Sequence, residues 1–174
     1  MSAMPVRHVP ERESATTHHD ALDEAITNAF TAVEPLIRIV ARWPHVVAPA
    51  YVVVVDRPGH PLRDLVISDL PRDRWPAPFD ELARGKAALT ARTGMPSRRV
   101  LQDRLDLLEP GDPCWFGSVI DTAHGLVVAA SGGPEDVDEM ISRAVLDLIR
   151  IPAVLRAREE ALRRGPHKLT FQLP

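Results

Sequence analysis

Apolar residues return every three or four positions through Leu22, Ile26, Ala29, Phe30, Val33, Ile37 and Val40. That stripe predicts a helix from near His18, capped by Thr17, to about Arg42. Pro35 falls inside it and predicts a kink or break near Glu34, because the ring removes a donor and crowds the preceding turn. The period then changes. Tyr51-Val52-Val53-Val54-Val55 is an unbroken apolar run, mostly β-branched, of the kind found in a central strand covered on both faces. Arg57-Pro58-Gly59-His60 supplies turn chemistry, and Leu62 to Leu70 predicts the returning strand of an antiparallel hairpin.

Pro71 to Pro78 is a proline-rich loop holding Trp75, and Phe79 to Thr93 reads as a helix that Gly94 and Pro96 stop. Ser97 to Leu108 predicts a short helix. Trp115 to Ile120 and Leu126 to Ala130 predict two more strands, joined by Thr122-Ala123-His124-Gly125. After Ser131-Gly132-Gly133-Pro134, the positions Val137, Met140, Ile141, Ala144, Val145, Leu148 and Ile149 mark the face of a last long helix, which Pro152 bends or interrupts. Leu169-Thr170-Phe171 is a candidate edge strand. The order helix, two strands, helices, two strands, helix predicts an α/β (α+β) domain: an antiparallel sheet of four to five strands with packed helices. The expected organisation is an arm over 1–17, one domain over 18–162 and a tail over 163–174. Exposed sheet edges make a homo-oligomer the expected state.

Composition narrows the function classes. At 174 residues, 45% hydrophobic and 26% charged, the chain is long enough and apolar enough for one self-sufficient core. A formal charge of -3 gives no basic field for nucleic acid or an anionic membrane. Cys114 is the sole cysteine, which excludes an internal disulfide and a paired-cysteine zinc site. With no secretory apolar stretch near Met1 and no run long enough to span a bilayer, a cytoplasmic location is expected. The 17 prolines, with many Ala and Arg residues, fit a high-GC bacterial coding bias.

Three stretches, in order, carry a family resemblance. Val53-Val54-Val55-Asp56-Arg57-Pro58-Gly59-His60 is a strand ending in Val-Asp, then glycine and histidine. Ala83-Arg84-Gly85-Lys86-Ala87-Ala88-Leu89-Thr90-Ala91 holds Lys-Ala and a nearby Thr-Ala. Gly125-Leu126-Val127-Val128-Ala129-Ala130-Ser131-Gly132-Gly133, followed by Asp138-Glu139, gives a closing strand, a Ser-Gly signature and an acidic helix start. Over roughly Ala21 to Leu155 the chain resembles the GlcG/HbpS-like, haem-binding-associated family. The resemblance implies a profilin-like or PAS-like fold, oligomeric assembly and haem, or a similar tetrapyrrole, as cofactor. One departure stands out. Pro113-Cys114-Trp115-Phe116-Gly117-Ser118 occupies the place of the family's Gly-Gly-x-Pro-[Ile/Val] motif and puts aromatic bulk near the implied ligand cleft.

Site candidates follow from both lines of reasoning. His60 at the turn, and His18 or His19 at the helix start, are candidate iron ligands; adjacent helical residues diverge by about 100°, so one of the latter pair at most enters a site. Solvent-facing histidines are the competing assignment at all three. Lys86 is a candidate for a propionate or other carboxylate, against a solvated helical lysine. Phe116, Gly132 and Gly133 complete the implied cofactor cleft. Cys114 is a candidate thiolate or nucleophile, and Asp121 with His124 a candidate acid/base pair, against a buried small hydrophobe and a polar turn. Glu135, Asp136 and Asp138 open the last helix and repel phosphate, which excludes a nucleotide loop at Gly132-Gly133. The expected function is a haem-binding or flat-ligand-binding accessory protein. The alternatives are a small-molecule isomerase or cyclase using the same cleft, and a structural subunit whose cleft Trp115 and Phe116 close.

Overall fold

Alternation along one strand organises the molecule. The structure, a computed structural model, describes residues 12–40 and 50–163, with side chains from residue 20 onward. Strand β1 (Ala50–Asp56) is buried along nearly its whole length. Its Val52 and Val54 join one apolar cluster and its Tyr51, Val53 and Val55 join another, because successive side chains leave a strand on opposite faces. β2 (Pro61–Ile67), β3 (Ser118–Asp121) and β4 (Leu126–Ser131) complete a sheet of order β2-β1-β4-β3 with every pair antiparallel. Helices α1 (Arg12–Val40) and α4 (Glu135–Arg163) cover the face of Val52 and Val54. Helix α2 (Phe79–Thr93) covers the other, followed by the short α3 (Ser97–Asp103). This is the predicted α+β architecture in a single domain, with four strands among the described residues.

The deviations have local causes. α1 starts at Arg12, so Thr17 lies inside the helix and not at its cap; after Pro10 nothing in the sequence breaks a helix before Pro35. Pro35 and Pro152 both sit within continuous helices. A proline in a helix interior costs ~3 kcal/mol, and at Pro35 the burial of Val33 and Ile37 on either side opposes that cost. β2 ends at Ile67, short of Leu70, because the Ser68 hydroxyl accepts from the Leu70 amide at 3.0 Å and donates to the Leu70 carbonyl at 2.8 Å, a local turn that competes with the ladder. β3 begins at Ser118, so Trp115 and Phe116 stay in the loop ahead of it. The candidate edge strand Leu169-Thr170-Phe171 and the connection through Pro44 and Pro49 lie outside the described residues. No described helix is long and apolar enough to cross a membrane.

Candidate functional site

The β3–β4 turn builds the first site. Oδ1 of Asp121 accepts from the amides of Ala123 (2.9 Å) and His124 (3.4 Å), and Gly125 takes φ +67° to close the turn. The other carboxylate oxygen meets His124 Nδ1 at 2.7 Å and Arg150 Nε of α4 at 3.1 Å. Burial works to raise the Asp121 carboxyl, yet the His124 imidazole and the two amides outweigh it and hold it below the ordinary carboxylate value. Asp121 is therefore a buried anion, 5% exposed at its side chain, that orients a half-exposed imidazole.

His124 of this pair borders a cavity of about 290 Å3 between α1, α4 and the turn. The space exists because small side chains stand where the layers meet: Ala21 and Ala25 from α1, Ala123 from the turn and Ala153 from α4. Leu22, Leu126 and Ile149 supply apolar wall, and among the described residues the polar groups are His124, Arg150 and Arg156.

The second site lies at the opposite end of β4, past Ser131, on the α2 side of the sheet. Lys86 of α2 is 2% exposed, and its Nζ donates to Asp138 Oδ2 at 2.8 Å and to the Ala130 carbonyl at 3.0 Å. The Gly133 amide donates to the other Asp138 oxygen at 2.9 Å. Burial pushes the Asp138 carboxyl up to about 6, against the opposing pull of Lys86 and the Gly133 amide. Lys86, Asp138, Gly132, Gly133, Glu135 and Trp115 border a cavity of about 210 Å3.

The structure thus brings Lys86, Gly132 and Gly133 together, with Trp115 half exposed beside them. Phe116 is engaged elsewhere, since the Arg98 guanidinium stacks over its ring at 4.0 Å and its amide donates to Glu135 at 3.1 Å. Cys114 is exposed. His60 is held by Asp56, through its amide at 2.7 Å and Nδ1 at 3.1 Å, with a side chain 77% exposed, and it borders neither cavity. It follows β1 at the sheet end where Asp56 pairs with Leu126, the end that also carries His124. His18 and His19 fall within α1, and their side chains lie outside the described ones. Arg98, Arg99 and Arg104 are each ion-paired with acids, Asp136 and Glu139, Asp103, and Asp106 respectively. No cluster of three or more His, Cys, Asp and Glu suited to a metal ion occurs among the described residues.

Sequence reasoning passed over Arg150, Arg156 and the burial of Lys86. For Lys86 a signal existed: Phe79, Ala83, Lys86, Ala87 and Thr90 recur at one helical face, and all five are buried.

Neither a family model nor a curated protein matches the sequence. Solved structures do match in shape. The Klebsiella pneumoniae protein ORFY, described under the family model DUF336, aligns with TM-score 0.54 and 17% identity over 72% of this chain and 88% of its own. HbpS aligns with TM-score 0.50 and 21% identity over 84% of this chain and 93% of its own. A complex of PduOC with haem aligns with TM-score 0.46 and 18% identity over 72% and 89%. At these identities the likeness to ORFY and HbpS is one of fold, and it is the fold that the sequence resemblance implied.

Proposed function

We propose that the chain is a ligand-binding accessory protein of the GlcG/HbpS-like kind that holds haem, or a similarly flat apolar molecule, between α1, α4 and the β3–β4 turn. One observation carries this reading: an imidazole whose Nδ1 is committed to a buried carboxylate stands at an apolar cavity, leaving Nε2 as its free nitrogen. Metal-binding histidines commonly donate their other ring N–H to a carboxylate, which fixes the tautomer and raises the basicity of the ligating nitrogen. Haem, when bound, would supply an iron centre, and His124 is the residue here that would hold it.

The residues of this cavity fit that group. His124 offers the nitrogen, the alanine and leucine walls offer apolar contact, and Arg156 offers positive charge for a carboxylate. At about 290 Å3 the cavity lies at the small end of ligand pockets, ~300–1,000 Å3. The Gly132-Gly133 cleft does not fit. Its lining contains Glu135 and Asp138, and among the described residues its one cation is the Lys86 that Asp138 already neutralises and it holds no His, Cys, Met or Tyr.

Haemin titration followed at the Soret band tests the reading. The wild-type chain is expected to give a saturable, near-stoichiometric shift that His124→Ala abolishes. Asp121→Asn is expected to weaken binding by ~10–100-fold, the usual range for losing the partner of a ligating histidine. His60→Ala is expected to titrate like the wild type. An unsaturable response, or a His124→Ala variant that titrates normally, would sink the proposal.

A further inference from the structure

We infer that this cavity selects its ligand by an anion, and that its occupant is a compact apolar carboxylic acid whose carboxylate Arg156 reads. The inference rests on the cavity being the ligand site and does not depend on haem. Its first support is the charge of the lining. Acids outnumber bases in the chain, 24 Asp and Glu against 21 Lys and Arg, yet among the described residues no Asp or Glu borders this cavity while two arginines and a histidine do. A cationic rim on an apolar hollow, in an acidic chain, is the complement of an apolar anion.

Its second support is that the two arginines differ in what they are free to do. Arg150 is engaged by the buried Asp121 at 3.1 Å and by Asp147 at 3.7 Å. Arg156 forms no ion pair among the described residues. It follows Ile149 by seven positions and Pro152 by four, so it shares the helix face that walls the cavity, and it is exposed. The guanidinium fork is suited to bidentate carboxylate recognition, which a point-charge ammonium would not reproduce. The walls set the other requirement, since alanines and leucines offer contact and no hydrogen bond to a polar ligand body. Two fused rings suit the roughly 290 Å3 available.

The test uses the full chain with 2-naphthoic acid and its methyl ester, which share shape and differ in charge, followed by isothermal titration calorimetry. The acid is expected to bind saturably and the ester at least about tenfold more weakly. Arg156→Gln, an exposed substitution that leaves folding intact, is expected to weaken the acid by about five- to tenfold and leave the ester unchanged. Rising ionic strength is expected to weaken the acid alone. Equal affinities for acid and ester, a loss that falls equally on both in Arg156→Gln, or no binding of either would overturn the inference. A haemin titration on the same sample separates the two readings. Selective naphthoate binding without a Soret shift would sustain this inference against haem, and a His124-dependent Soret shift with no naphthoate selectivity would do the reverse.

Discussion

Lys86→Met is expected to destabilise the chain by about 3–5 kcal/mol near neutral pH, the range for removing one partner of a buried ion pair. The ammonium it deletes is 2% exposed and links α2 to Asp138 of α4 and to the Ala130 carbonyl of β4, so the deletion strands a carboxylate in the interior. The pH dependence gives the mechanism away. Burial lifts the folded Asp138 carboxyl to about 6, above its ordinary 3.8, while Lys86 opposes the lift. A carboxyl raised on folding contributes stability that is fully present below its unfolded value and is lost as pH rises through about 6. Without Lys86 the carboxyl rises further, so the deficit against wild type is expected to be largest at alkaline pH and to shrink as acid returns the proton. Urea unfolding midpoints, at constant m, measure it. Lys86→Met/Asp138→Leu is expected to recover most of the loss, because an apolar pair replaces the ionic one. A deficit independent of pH, or a double variant worse than the single, would refute this account.

Lys86 also marks where the sequence is legible. Periodicity locates α2, β1, β4 and the long helices because each buries a regular face, and that regularity is local information. A lysine at position 86 reads locally as solvated, and only the stripe of Phe79, Ala83, Ala87 and Thr90 around it contradicts that. The counter-ion, Asp138, lies 52 residues away, and nothing in either neighbourhood announces the other. His124 divides the same way. Its pairing with Asp121, three positions back, is readable from the turn, whereas the cavity it borders is made by α1 and α4 meeting the sheet. Arg156 reads as one charge in a charged segment, and only the wall it completes separates it from its neighbours. Trp115 and Phe116 lost their predicted strand to a backbone constraint one residue later, at Gly117.

That constraint yields the second large effect: Gly117→Ala is expected to cost about 3 kcal/mol or more. Gly117 holds φ +143°, a region that costs a non-glycine residue about 1–3 kcal/mol. A Cβ there would stand 2.7 Å from the Asp138 Cβ and 3.0 Å from both the Ala130 carbonyl oxygen and Lys86 Nζ. Overpacking of that kind adds about 1–3 kcal/mol. The backbone has little freedom to yield, since the Gly117 amide donates to Ser97 Oγ at 3.1 Å and its carbonyl accepts from the Ala130 amide at 3.1 Å and from Ser142 Oγ at 2.6 Å. Gly94→Ala is the matched comparison: φ is +68° and a Cβ meets nothing within 4 Å, so the strain alone, about 1 kcal/mol, is expected. Thermal unfolding should place Gly117→Ala roughly 6–12 °C below wild type, at ~2–4 °C per kcal/mol for a chain of this size. The damage falls where α4 begins, at the Lys86–Asp138 pair, whereas His124 and Arg156 border the cavity beside the second half of that helix. The folded fraction of Gly117→Ala should therefore keep the ligand affinity of the wild type, and a variant that lost both together would show the two ends of α4 to be coupled.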